Sequence, residues 1–208
     1  MSFRAPLVLK PARADLVIAK AVARAADPPE QRTLRLITWA ADEKLVLAGA
    51  ALLWIWARGC RRDAETIEAA DRMVISVIAA GAIPHLVKHI VRRRRPDRTI
   101  STRVARLHQG IRFSGNAWDS FPSGHALHLG AVAGSLRRLA PAQWRPLVWP
   151  AMVGLAATRI LLLAHYATDV AAGLLMGAAI DKFVATALKA LRGTAAPRDA
   201  NRLKPQDR

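Results

Sequence analysis

The chain has 208 residues, with 32 Lys and Arg against 15 Asp and Glu and a formal net charge of +17. That length fits one domain with a core of several helices and room for flanking tails, and 52% apolar residues exclude a largely disordered chain despite the charge. The single cysteine, Cys60, excludes a disulfide framework and a cysteine-only metal site, while a pI near 11.6 points to acidic partners: nucleic acid, anionic headgroups or phosphate-bearing substrates.

Arg4, Lys10 and Arg13 come early, and no short apolar core with a small-residue cleavage site follows them, so the start does not read as a secretory signal. Residues 14–26 (ADLVIAKAVARAA) mix apolar and basic side chains at helical spacing, which predicts an interfacial helix on a membrane surface within a basic, amphipathic segment 1–35. Five apolar blocks follow, at residues 36–57, 73–91, 123–136, 146–166 and 170–191. Each is too long for an ordinary strand and rich in Ala and Leu, so each is expected to be a helix. No block reaches about 18 apolar residues free of charge, and the mean hydropathy of +0.14 is low for a multispan protein. Most blocks nevertheless approach span length, and few charges interrupt them, chiefly Lys88, Arg159, Asp181, Lys182 and Lys189. Charge inside a membrane is costly and is kept for function. The expected architecture is therefore all-α: a bundle of about five transmembrane helices over residues 36–191, preceded by the interfacial helix and followed by a disordered basic tail, 192–208. The six tryptophans fall mostly near block ends, as in an interfacial belt.

Five spans place residues 57–72, 137–145 and the tail on one side, cytoplasmic by their arginines, and residues 92–122 on the other. The latter segment is strongly basic, against a simple positive-inside count unless its arginines have another task.

Three patches stand apart from the apolar background. The first, Lys88-His89-Ile90-Val91-Arg92-Arg93-Arg94-Arg95-Pro96, spaces Lys88 and Arg95 so that two turns of helix bring both cations to one face, an anion clamp in which Arg supplies a planar fork. Arg92, Arg93 and Arg94 read as a positive flank anchoring a span. The second, Phe121-Pro122-Ser123-Gly124-His125, has the form of a helix start. Ser123 is the N-cap candidate, and the free amides of Gly124 and His125 would favour an anion. In the third, Thr158 to Asp169, Arg159 lies in an apolar block and needs an anionic partner. His165 and Asp169 are four apart, so that Asp169 can accept a bond from one ring nitrogen and leave the other as base or nucleophile; Thr168 or Asp169 can equally cap the next helix.

In this order the patches read K-x6-R-P, P-S-G-H and T-R-x5-H-x3-D. That pattern resembles the type 2 phosphatidic acid phosphatase superfamily, which also includes bacterial acid phosphatases and vanadium haloperoxidases. One departure is Thr158, where the family usually has Ser; the hydroxyl is retained. The resemblance implies a metal-independent phosphatase without cofactor. In it the residue matching His165 attacks phosphorus and becomes a phosphohistidine, the one matching Asp169 orients it, and the one matching His125 protonates the leaving oxygen. Residues matching Lys88, Arg95, Ser123, Gly124 and Arg159 bind the phosphoryl oxygens. Physically, spread positive charge and positioning are what phosphoryl transfer requires, and two histidines in opposite protonation states give a bell-shaped pH dependence. The expected substrate is a lipid phosphate or diphosphate, phosphatidic acid-like or a polyprenyl diphosphate, met at a membrane face away from the cytoplasm. The expected location is the cell's inner membrane, and no nucleic acid is expected as partner. A soluble acid phosphatase or vanadate-dependent haloperoxidase on the same scaffold, and a non-enzymatic membrane protein binding polyanions, are the alternatives.

Among the remaining residues, His85 and His89 have helical metal-ligand spacing but no third ligand nearby. His128 lies on the same helix face as His125 and is expected to support it. The loop 99–119 is long enough to gate access.

Overall fold

The apolar blocks fold as helices, bounded by side chains that satisfy free backbone groups. The computed structural model describes residues 6–25, 28–39, 42–61, 63–100 and 116–195. Helices α1 (Arg13–Ala25) and α2 (Pro28–Trp39) lead to α3 (Glu43–Trp56), whose N-cap Asp42 accepts from the Lys44 amide at 3.0 Å. A π-helical turn, Ala57–Arg61, ends α3. The long α4 (Ala64–Ile90) is capped by Asp63, which accepts from the Thr66 amide at 2.9 Å. A short α5 (Pro96–Thr99), then α6 (Gly124–Leu139), α7 (Arg145–Leu161) and α8 (Ala167–Ala195) complete the order.

Several expected boundaries move. The first apolar block is two helices, with α2 ending at Trp39 and α3 opening at the Asp42 cap, and the division at residue 35 falls inside α2. At the other end, α8 carries residues 192–195 of the expected tail as helix, and Arg192 pairs with Glu68 at 2.8 Å; the rest of that tail lies outside the described residues. A small departure from an all-α chain is a parallel pair of two-residue strands, β1 (Leu7–Val8) on β2 (Val91–Arg92).

Helix α6 is the centre of the bundle and is buried almost all round, through Ala126, Leu127, Leu129, Ala131, Val132 and Ala133. It packs against α4, α7 and, most closely, α8. The close approach depends on small residues. A Cβ on Gly177 would overlap the Leu127 carbonyl and stand 2.7 Å from the Ala131 nitrogen; one on Gly173 would stand 2.5 Å from the Ser123 carbonyl oxygen.

Helices α4 and α8 are long and apolar enough to cross a membrane, and only 28% of each apolar window is buried. A soluble core helix would hide such a surface; here Ile78, Leu86, Leu175 and Phe183 are exposed. Helices α3, α6 and α7, with 14, 16 and 17 residues, fall short of the ~20 residues of a full span.

Gly177→Ala is expected to lower stability by about 1–3 kcal/mol, since a methyl there meets backbone that cannot yield cheaply. Gly154→Ala on α7, whose added methyl meets nothing within 4 Å, should be neutral or slightly stabilising. Thermal unfolding in detergent compares the two.

Candidate functional site

All three patches gather at one end of the bundle, where the C-terminal ends of α4 and α7 meet the N-terminal ends of α6 and α8. Backbone hydrogen bonds lock them together. The Arg93 amide donates to the Trp118 carbonyl at 3.0 Å, the Ser120 amide to the Arg93 carbonyl at 3.0 Å, and the Arg95 amide to the Ala117 carbonyl at 2.9 Å. The Ser123 amide donates to the Asp169 carbonyl at 3.2 Å, and the Asp97 amide to the Leu163 carbonyl at 3.1 Å.

Lys88 and Arg95 do not share the one helix face that their spacing predicts. Helix α4 stops at Ile90, because Val91 and Arg92 turn extended to pair with β1, and the residue before Pro96 is held extended as well. Arg95 is nevertheless buried, its Nε donating to the Asn116 carbonyl at 3.3 Å and its Nη1 to the Ala164 carbonyl at 3.4 Å. Ser123 takes the N-cap position of α6, but its buried hydroxyl makes no cap bond and has no protein partner among the described residues. The same holds for Nε of Arg159. A buried polar atom left open needs an explanation, and a bound anion supplies one for these two. Gly124 opens α6, and a Cβ there would meet nothing within 4 Å. His125 follows it, and the charges acting on its ring are those of Arg159, His128, Arg95 and Lys88. His128 is buried behind it, its ring Nδ1 bonded to the Gly124 carbonyl at 2.8 Å.

The turn that carries His165 is a helix C-cap of Schellman type: the Leu163 amide donates to the Ile160 carbonyl at 2.9 Å and the Ala164 amide to the Arg159 carbonyl at 3.0 Å. Glycine usually fills the left-handed position of this motif; here it is Leu163, at φ 53°. The cost, about 1–2 kcal/mol, is offset by complete burial of its side chain against Ala19, Ala23 and Tyr166. His165 Nδ1–H donates to the Ser120 carbonyl at 2.7 Å, so its Nε2 is the unprotonated nitrogen of the neutral ring. Burial, then the nearby charges of Arg95 and Arg159, push its pKa well below the ordinary 6.5.

Asp169 does not bond the His165 ring, contrary to the direct contact expected from the i, i+4 spacing. Its carboxylate accepts from the Ser120 hydroxyl at 2.6 Å and the Tyr166 amide at 2.9 Å. It therefore reaches His165 through Ser120, which offers its carbonyl to the imidazole and its hydroxyl to the aspartate.

The sequence profile of the PAP2 superfamily matches residues 70–192. The chain belongs to this superfamily. It is 34% identical over 107 residues to a lipid A 1-phosphatase of Rhizobium johnstonii and 34% identical over 103 residues to one of Rhizobium etli. These alignments cover 51% and 49% of this chain but only 42% and 43% of the relatives, less than half their length. Its fold is similar to that of Aquifex aeolicus LpxE (TM-score 0.63, 14% identity, 86% of this chain and 99% of that one). It is also similar to a transmembrane PAP2 type phosphatidylglycerolphosphate phosphatase from Bacillus subtilis (TM-score 0.59, 18% identity, 89% and 87%).

The PAP2 match begins at residue 70, yet a buried ion pair beside the site reaches residue 15. Arg93, expected to be part of a positive flank anchoring a span, is buried. Its Nη1 donates to the Asp169 carboxylate and, at 2.7 Å, to the Thr168 hydroxyl; its Nη2 donates to Asp15 at 2.6 Å. Its guanidinium also lies 4.8 Å from the Tyr166 ring centroid. Asp15 in turn accepts from the Thr168 amide at 3.1 Å and hydroxyl at 2.7 Å. The N-terminal helix is thus bolted to the His165 turn, by a residue that an amphipathic reading of α1 gives no reason to single out. His85 and His89 are exposed on α4, with no set of three metal-ligating side chains there or elsewhere among the described residues. Most of the expected gating loop, residues 101–115, lies outside the described residues.

Arg93→Ala leaves two buried carboxylates without their cation, and a stability loss of about 3–5 kcal/mol is expected; Arg93→Lys, which cannot fork between two acids, should recover only part. Burial opposes the ionisation of Asp15, but bonds from Thr168, Ala12 and Arg93 outweigh it and hold its pKa below the ordinary 3.8. Its contribution is complete above that value and lost as pH falls through the lower folded value. Acid titration followed by proteolysis near α1 should therefore release the helix only in strong acid, and Asp15→Asn should remove that transition.

Proposed function

We propose that the chain is a membrane-bound phosphohydrolase that removes phosphate from a lipid phosphate or diphosphate without a metal ion. The observation that carries this reading is the meeting of the three patches at one end of the bundle, where the charges of Arg95 and Arg159 act on both His125 and His165 and that of Lys88 on His125, beside a Ser123 hydroxyl and an Arg159 Nε with no protein partner among the described residues. In the first step His165 Nε2 forms a bond to phosphorus while the bond from phosphorus to the lipid oxygen breaks, and His125 gives that oxygen its proton. In the second, water attacks the phosphohistidine, its proton passes to His125, and phosphate leaves as His165 returns to its neutral form. Lys88, Arg95, Arg159, the Ser123 hydroxyl and the amides around Gly124 hold the equatorial oxygens, where charge spreads in the transition state. Asp169, through Ser120, keeps the His165 ring in the attacking tautomer.

The lipid tail stays in the bilayer, with α3, α4, α6, α7 and α8 as the five membrane helices and α1 at the surface. The exposed apolar faces of α4 and α8 support this placement. The site faces away from the cytoplasm, in the inner membrane. The relatives' names place a lipid A-type 1-phosphate beside phosphatidic acid, phosphatidylglycerolphosphate and polyprenyl diphosphate in the panel of substrates to be tested.

Purified protein in detergent should release phosphate from at least one of these. His165→Ala should abolish turnover, His125→Ala should lower it by about 10²–10⁴-fold, and a chelator should leave it unchanged. Chelator-sensitive turnover overturns the mechanism. The depressed His165 pKa keeps the nucleophile unprotonated through neutral pH, so the acid limb of the kcat/KM profile should fall well below pH 6.5; the alkaline limb reports loss of the proton from the general acid.

A further inference from the structure

A second cluster of cations lies at the opposite end of the bundle. Between α4, α6, α7 and α8 is a cavity of about 380 Å³ lined by Arg72, Arg137, Arg138, Arg145 and Lys182, with Asp181 as the one lining carboxylate. Every helix that contributes to it also contributes to the phosphatase site from its other end. Arg72 and Lys88 are sixteen residues apart on α4, and Asp169 and Asp181 twelve apart on α8. At 1.5 Å per residue these separations are roughly 24 Å and 18 Å, so the two clusters stand near opposite membrane faces.

The floor of this cavity is built. Arg72 forks onto Asp181, its Nε donating to Oδ1 at 2.7 Å and its Nη2 to Oδ2. This pair lies so close to α6 that a Cβ on Gly134 would overlap both partners. The charge of Asp181 is thereby already compensated by Arg72. Arg138 is turned to Glu68 at 3.0 Å, and Arg145 donates to the Ala140 carbonyl at 3.1 Å. Arg137 and Lys182 have no carboxylate partner among the described residues. Arg137, Arg145 and Lys182 are exposed around the cavity, so a single anion entering it meets the summed field of all three, and Arg forks suit phosphate oxygens. Trp149 lines the same cavity, an amphipathic ring of the kind found at headgroup depth.

We propose that this cavity binds a phosphate-bearing anion, the headgroup of an anionic phospholipid in the leaflet opposite the phosphatase site. The proposal rests on the membrane placement given under Proposed function, but not on the chemistry assigned to His165. A basic pocket between membrane helices is suited to such a headgroup, and its separation from the first cluster lets both lipids be held at once.

The test is native mass spectrometry of the full chain in detergent, titrated separately with phosphatidylglycerol, phosphatidylcholine and inorganic phosphate. The comparison protein carries Arg137→Ala, Arg145→Ala and Lys182→Ala together, and a milder Lys182→Glu variant guards against misfolding of the triple one. Phosphatidylglycerol should bind more tightly than phosphatidylcholine, and its dissociation constant should rise at least tenfold in the triple variant and severalfold in Lys182→Glu. Phosphate release should be unchanged in both. If inorganic phosphate loses affinity in the variants while the two lipids are indistinguishable, the site holds a free phosphate and its lipid source is overturned. If no ligand is weakened by either variant, the site is overturned altogether; any lipid held by the phosphatase cluster would persist in that case. Absence of turnover with variant-sensitive binding would reject the phosphatase reading and leave this one standing.

Discussion

A buried charge must be paired, and the site's architecture follows from how one guanidinium meets that demand. Arg93 is 4% exposed and sits between two carboxylates that are themselves almost wholly buried, Asp15 and Asp169. Each acid alone would be expensive in that setting, and so would the arginine; the three are tolerable only together. Because Asp15 belongs to α1 and Asp169 to α8, while Arg93 follows α4, satisfying the charges fixes three distant pieces of chain relative to one another. The same Asp169 then spends its other oxygen on Ser120, whose carbonyl takes the Nδ1 proton of His165. Charge pairing in the interior is thus transmitted, by hydrogen bonds with defined donors and acceptors, to the orientation of one imidazole.

The second constraint is steric and comes from the α6–α8 crossing. Gly173 and Gly177 allow the α8 backbone to lie directly on α6, and the former places it against the Ser123 carbonyl. That contact brings the first turn of α8, with Asp169, to the N-terminus of α6, where the Ser123 amide binds the Asp169 carbonyl. A wider crossing would separate the second and third patches even with every polar residue intact. Small residues in the middle of the bundle and charged ones at its end are therefore parts of one geometric device.

The three patches were legible because their residue types are conspicuous in an apolar background and their spacing suits an anion site. The arginine run was not, because four identical side chains offer no clue to which are structural. Continued helix predicts one face for Lys88 and Arg95; the extended backbone after Ile90 instead alternates, with Arg92 and Arg94 exposed and Arg93 and Arg95 buried. The strand partner that imposes this, Leu7–Val8, lies more than eighty residues away and carries no motif. Leu163 hides the helix stop for a related reason: a leucine in a left-handed position is tolerated only because α1 covers its side chain, a tertiary compensation that local propensity does not contain. Asp15 was hidden by its surroundings too, since a single acid in an amphipathic basic helix reads as solvated until its partner is seen.

This alternation also bears on orientation. The segment after α4 carries too many arginines for a face turned away from the cytoplasm if each is counted as a topological signal. Arg93 is neutralised by buried acids and Arg95 is held by backbone carbonyls inside the site, so neither is a free cation on a loop. Exposed basic residues remain at both ends: Arg92, Arg94, Lys20 and Arg24 on the site's side, and Arg137, Arg145 and Lys182 on the other. Counted by what each cation is bonded to, rather than by its occurrence in the chain, the arginine run after α4 offers two solvent-facing cations, Arg92 and Arg94, rather than four, which weakens its objection to a face turned away from the cytoplasm.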